Sequence, residues 1–428
     1  MMTTPATDNP TARAHAEAFA GLVSSLPGDA TARQDALTRF KAAGLPTRRV
    51  EEWKFTGLDA LSRKVFAPAA PAITGSPSRA QIEAIAGVPG AIHAVFINGS
   101  FDASLSDALP AGVALLSGAS VTPTATGEGR GQSLIALNAA FMRDGIAIDV
   151  ADGARIEQPL ALVFLAGGDG AAVHTRNVVR LGSGAALRVV EIHASLNAAG
   201  ATFSNAVTEA VIGAGARLTH ARIAAEGKSA LHHSHAAVSI GEGGEYVSFA
   251  LSVGGELTRQ ESDVRFAAPG CTARLYGAYL GRGRQHMDHT TRVRHDHPGC
   301  ATEELFKGAL DGEAHGVFQG LIHVAPHAIK TDARQRNVNL LLSDRAVADA
   351  KPELEILADD VKCSHGATVG DLDADEIFYL RARGLSPDAA RRLLLTGYVE
   401  DLIGRLDDAA IAAAIKARTD AWLGEEQP

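Results

Sequence analysis

Cysteine, tyrosine and tryptophan are scarce in this chain of 428 residues, which holds three, five and two of them. The three thiols (Cys271, Cys300 and Cys363) are odd in number and widely spaced, so no disulfide framework is expected and reduced cysteines are the default. Aromatics make up only 5% of the residues, which counts against a groove lined with rings for sugar stacking. Basic charge is not in excess either. Forty Lys and Arg stand against 49 Asp and Glu, a net charge of −9, whereas a binder of phosphate backbones carries a basic face. No nucleic-acid partner is therefore expected. Apolar runs long enough to cross a bilayer are missing too; the best, from Pro159 to Ala166, is strand-length and ends at Gly167-Gly168. The N-terminus lacks the basic-then-apolar layout of a secretory leader, so the expectation is a cytoplasmic protein with no membrane partner.

What is present is a globular composition, 46% hydrophobic and 21% charged, in a chain long enough for about two to three domains. Forty-four glycines point to many turns and a core of small aliphatic side chains. Two alanine-rich segments, Thr11 to Ser24 and Ala30 to Ala43, have helical spacing, and Gly44-Leu-Pro46 stops the second. The segment Pro46-Thr-Arg-Arg-Val-Glu51-Glu52-Trp53-Lys54-Phe55-Thr56 follows. Ala67 to Ser78 and Ser117 to Gln132 read as linkers, and Ala91 to Gly99 between them as a strand.

The middle of the chain repeats. A β-branched pair, a polar gap and a glycine recur at Ile148/Gly153, Val178/Gly184, Val211/Gly215, Val238/Gly243, Val264/Gly270 and Val293/Gly299. The glycines are spaced 31, 31, 28, 27 and 29 residues apart, a near-constant period of the kind that marks a solenoid. Each unit carries two short strands and no helix. Stacked coils bury a face that one coil alone cannot, and parallel crossovers are right-handed. An antiparallel sandwich with evenly spaced hairpins is the competing reading.

After Gly370 the pattern turns helical. Asp373 with Glu376 opens one helix that Gly384 ends, and Ser386-Pro387 caps the next. Leu393, Leu394, Tyr398, Leu402 and Ile403 are expected to form its apolar face. A last helix runs from Asp408 to Leu423. The boundaries drawn are 1–132 for a mixed N-terminal domain, 133–370 for the β core and 371–428 for a helical C-terminal domain.

The sharpest chemical hint is Cys363-Ser-His365. In an extended segment these two side chains share a face, and thiolate and imidazole are ligands that borderline metals prefer. Two ligands do not complete a site, and no second pair lies nearby, so a buried cysteine beside a hydrogen-bonded histidine is the competing structural reading. Histidine is dense from His286 to His327, where outward-facing rungs are expected rather than a metal site. Gly227-Lys228-Ser229 is no phosphate loop, because Arg222 stands where the motif needs glycine.

The stretches Glu51-Glu-Trp-Lys-Phe55, Cys363-Ser-His-Gly-Ala-Thr-Val-Gly370 and Phe378-Tyr-Leu…Ala-Arg-Gly-Leu-Ser386 resemble the SufB/SufD family of iron–sulfur cluster assembly proteins. Glycine rather than glutamate after His365 resembles the SufD branch. The resemblance implies a mainly β fold: a right-handed parallel β-helix core flanked by N- and C-terminal helical domains. It implies a non-enzymatic scaffold that pairs with SufB and docks the SufC ATPase, with a homodimer in isolation as one open state. His365, and Cys363 less firmly, would lie at the SufB interface, where iron or a nascent cluster is held transiently, His365 as a metal ligand shared with the partner chain. No cofactor would be held stably by this chain alone. Arg383, Leu394, Tyr398 and Leu402 would belong to the ATPase-docking helices. A β-solenoid carbohydrate-active enzyme is the alternative from another class, and it would need paired acids on a groove.

Overall fold

The computed structural model describes residues 9–71, 77–118, 131–196 and 200–424. Much of both linker-like stretches lies outside the described residues; where the first begins, Ala67–Pro68 pairs with Ala171 and Ala172. The repeating unit is one turn of a parallel β-solenoid with about eight turns. Each turn lays one strand in each of two sheets, and every strand pairs in parallel with those one turn before and after it. One sheet runs from Ile146–Val150 through Leu231–Ile240 to Val347–Ile356, and the other from Ile92–Ile97 through Glu245–Ser252 to Lys362–Gly370.

The glycine period has a conformational cause. Gly153, Gly184, Gly215, Gly243, Gly270 and Gly299 all have φ between 62° and 71°, the left-handed region where a Cβ costs energy. The column does not stop at Gly299. Lys330 (φ 62°) and Asp360 (φ 55°) carry the turn conformation onward without glycine. Their side chains form an exposed ion pair at 2.5 Å.

Between the sheets lies a core that includes Ile148, Val179, Ile212, Ile240, Phe266 and Val324. The outer faces are covered too. Phe40, Trp53 and Leu137 pack with Phe203 on the first sheet, and Leu395, Val399, Leu402 and Ile415 belong to the cluster over the second. Strands buried on both faces read as unbroken apolar runs, and all seven residues of Leu160–Ala166 are buried. The sheet also extends before residue 133, because Ile92–Ile97 pairs with Leu160–Leu165.

Outward-facing histidines are not what the 286–327 stretch provides throughout. His289 and His295 are buried between the sheets, hydrogen-bonded to Ser252 and Thr302 at 2.8 Å each. Alternation in the strand His286–His295 sends Met287, His289, Val293 and His295 to one side, so the expected rungs are split between interior and exterior. Interior polar residues at this density were not expected from the sequence.

A strap from Val50 to Thr56 crosses the outside of the first sheet. The Glu52 carbonyl accepts from Arg259 at 2.8 Å and from Gln319 at 3.1 Å. Glu51 pairs with Lys351 at 2.6 Å, and Thr56 Oγ1 meets His286 at 2.9 Å and Asp288. Buried Trp53 lies under the Arg259 guanidinium, 4.1 Å from ring centroid to carbon. Arg259 is itself buried and is neutralised by Glu261 and Asp288. The strap thereby touches four successive turns, at Arg259, His286, Gln319 and Lys351.

Candidate functional site

The two ends of the solenoid differ. At the first, short antiparallel strands, Ser100–Phe101 and Val113–Leu115, close the sheets. At the last, Val347–Ile356 and Lys362–Gly370 each pair with one neighbour among the described residues, leaving a row of backbone donors and acceptors on the other edge. Val347, Ile356, Leu357 and Val369 are exposed around this end. A strand edge of nine residues flanked by exposed apolar side chains is a surface prepared for pairing.

Cys363 and His365 lie in this last strand, in register with Ala333 and Gln335. Ala333 and Gln335 are buried between the sheets, so register places Cys363 and His365 on the inward face of a turn with no further turn above it. Cys363 is half-buried and packs against the core, whereas His365 is exposed. Burial pushes the Cys363 thiol up, and the neighbouring Asp332 charge adds to it, so metal binding there must displace a proton. Below His365 the inward column continues through Gln335 to Glu304, whose carboxylate accepts from the Gln335 amide. Burial raises Glu304 to about 7. The arrangement offers one accessible imidazole and one partly covered thiol side by side on one face.

Cys271 and Cys300 play a different part. Both are buried in the turns, and the Cys271 thiol meets the carbonyls of Gly241 and Ala268 at 3.0 Å. The hydrogen bond to Cys300, together with burial, raises the Cys271 thiol far above its ordinary value. They are packing groups in stacked turns.

The helical end is Ala374–Ala382, Pro387–Ile403 and Ala409–Gly424. Asp373 and Ser386 cap the first two, as their sequence positions indicate. The expected apolar face of the second is corrected by one rotation. Leu395, Val399, Leu402 and Ile403 are buried, while Leu393 is half exposed. Three consecutive leucines permit several faces, and contact with the sheet selects Leu395. Tyr398 Oη donates to the carbonyls of Gly308 and Val338 at 3.2 and 2.7 Å, so Tyr398 and Leu402 hold the helix to its own solenoid. Leu394 is half-buried. Arg383 lies exposed over the Tyr379 ring at 4.5 Å. Phe378 at 73% and Tyr379 at 56% are the most exposed large apolar groups of these helices.

Two family models match, the SUF system FeS cluster assembly SufBD core domain over residues 164–398 and the SufBD protein N-terminal region over 27–162. The chain belongs to the SufBD family. Its members include the iron–sulfur cluster assembly protein SufD of Escherichia coli, 32% identical over 404 residues and 92% of each chain. A SufBD family protein of Synechocystis is 29% identical, covering 90% of this chain and 89% of that one. One of Mycobacterium leprae is 35% identical over 46% of this chain and 53% of its own. The SufBD core model ends inside the Pro387–Ile403 helix, so the family's match includes the open last turn and the helix that Tyr398 anchors. No helix among the described residues is long and apolar enough to cross a membrane.

Proposed function

We propose that this chain is a SufD-type scaffold that completes a cluster-building site by pairing its open solenoid end with SufB. The observation that carries the reading is the uncapped last turn, with its unpaired edge and an incomplete Cys363/His365 ligand pair at one place. A partner that supplied a strand would satisfy the backbone edge, and a thiolate or carboxylate from it would complete the coordination that His365 begins. Iron or the nascent cluster is cargo at this seam. The SufC ATPase would dock on the exposed side of the C-terminal helices, where Arg383, Phe378, Tyr379 and Leu393 are accessible, with Leu394 at its margin. Tyr398 and Leu402 would carry motion of that helix into the sheet they are anchored to. The chain itself would bind and position rather than catalyse.

The test is size exclusion with mass detection on this chain, the sister subunit and the ATPase, mixed pairwise and together without oxygen. A stable three-component complex is expected. His365→Ala should leave that complex intact and reduce cluster assembly in cells. A chain that stays alone in every mixture sinks the scaffold reading, and unchanged assembly in the variant sinks the role of His365.

A further inference from the structure

The interior of the early turns holds a group of side chains that the scaffold role does not use. His193 comes from the strand Ala186–Ser195, Glu226 from the loop after Arg217–Ala225, and His232 from the strand Leu231–Ile240. All three are buried, with exposures of 3%, 4% and 1%. One ligand atom from each lies within 4.8 Å of the other two. The rings of His193 and His232 meet edge to face with centroids 4.8 Å apart, and His232 Nδ1 lies 2.8 Å from one Glu226 oxygen.

Among the described residues, two atoms of this group have no hydrogen-bond partner. They are His193 Nε2 and the second Glu226 oxygen, Oε2. A buried polar atom without a partner costs about 1–3 kcal/mol, and here two lie in one cluster. The nearest other carboxylate is Glu191, whose Oε2 lies 3.6 Å from His193 Nε2, beyond hydrogen-bond reach.

We infer that His193, Glu226 and His232 form a binding site for a divalent first-row metal ion inside the solenoid, separate from the open end. Two imidazoles and one carboxylate are a donor set that ferrous iron and zinc both accept. Metal–ligand bonds near 2.1 Å place tetrahedral ligand atoms about 3.4 Å apart, so the three side chains need to draw together by about 1 Å. The ion would neutralise the Glu226 carboxylate, occupy the two unpartnered atoms and tie the two sheets together. Glu191 lies on the same side of the His193 ring, 3.6 Å from Nε2, and would border the site. Lys228, exposed two residues from Glu226, shows that the site lies directly under a surface loop.

The experiment strips the full chain with chelator, equilibrates it without oxygen with ferrous sulfate or zinc chloride in separate arms, desalts it and counts bound metal. About one equivalent is expected in at least one arm, and the better-retained ion names the occupant. X-ray absorption at the metal edge should show nitrogen and oxygen neighbours with imidazole scattering. Cys363→Ala/His365→Ala should keep the ion, while Glu226→Gln and His232→Gln should each weaken retention by roughly tenfold or more. Four results would overturn the site: no retention of either metal by the unaltered chain, sulfur in the coordination shell, loss on removal of Cys363 and His365, or unchanged retention in both Glu226→Gln and His232→Gln. The absorption measurement needs no substitution, so a variant that fails to fold does not shield the proposal. Failure of complex formation with SufB would leave this outcome unaffected.

Discussion

Lys330 and Asp360 show how a residue can keep a structural period and hide it from the sequence. Both occupy the left-handed turn position that glycine fills in six earlier turns. The period was legible up to Gly299 because glycine marks that conformation, and illegible beyond it because a lysine and an aspartate adopt it at a cost. Gly215 isolates the effect, since an added Cβ there meets nothing within 4 Å and only its φ of 63° resists substitution. Gly215→Ala should cost about 1–2 kcal/mol in denaturant unfolding; an unchanged midpoint would refute the conformational account. Buried histidines set the pH response. Burial holds His15 and His295 near 4, and His286 and His289 near 3. The unfolded chain takes up protons on these groups below about 6.5. Between there and pH 4 the unfolded state binds more protons, so stability falls as pH falls. Glu304, raised to about 7, and Asp144, also raised by burial, act in the opposite direction, but the lowered histidines, His174 and His233 among them, outnumber these two carboxyls. The melting temperature should therefore drop between pH 7 and pH 5, and His289→Gln should make that drop shallower.

At the scale of elements, caps were easy to read and faces were not. Asp373 and Ser386 announce their helices because a side-chain acceptor at that position satisfies free amides. The run Leu393-Leu394-Leu395 does not announce which leucine faces inward, since that depends on a sheet formed by residues far away in sequence. The same holds for His289 and His295, whose inward direction depends on strand register. The Pro387–Ile403 helix separates anchoring from exposure. Tyr398→Phe removes a hydroxyl that meets two backbone carbonyls and should cost about 1–2 kcal/mol, seen as a lower midpoint with unchanged slope. Phe378→Ala lies on the exposed side and should shift stability by less than about 0.5 kcal/mol. On the proposed docking it should still weaken the ATPase in a pull-down, and undiminished capture would move the docking surface elsewhere.

The whole molecule is a stack closed at one end. The solenoid was legible because its turns repeat; the closure was not, because Ser100–Phe101 and Val113–Leu115 are two- and three-residue strands with no periodic signature. The candidate site was legible as a pair, Cys363 and His365, while its openness follows only from the register of the final strand. In a stack where each turn contacts its neighbours, protection should decline towards the open end. Amides of Lys362–Gly370 should exchange much faster than those of Leu231–Ile240, and partner binding should slow them. Uniform exchange along the isolated chain would contradict this picture.

The strap from Val50 to Thr56 changes how such a stack bears load. Turns joined only by their ladders part at the weakest seam when tension is applied along the axis. A segment fastened at Arg259, His286, Gln319 and Lys351 runs beside four turns and shares that tension among them. Those turns include the final one of their sheet, so the end proposed to meet a partner is also the end reinforced against being peeled open.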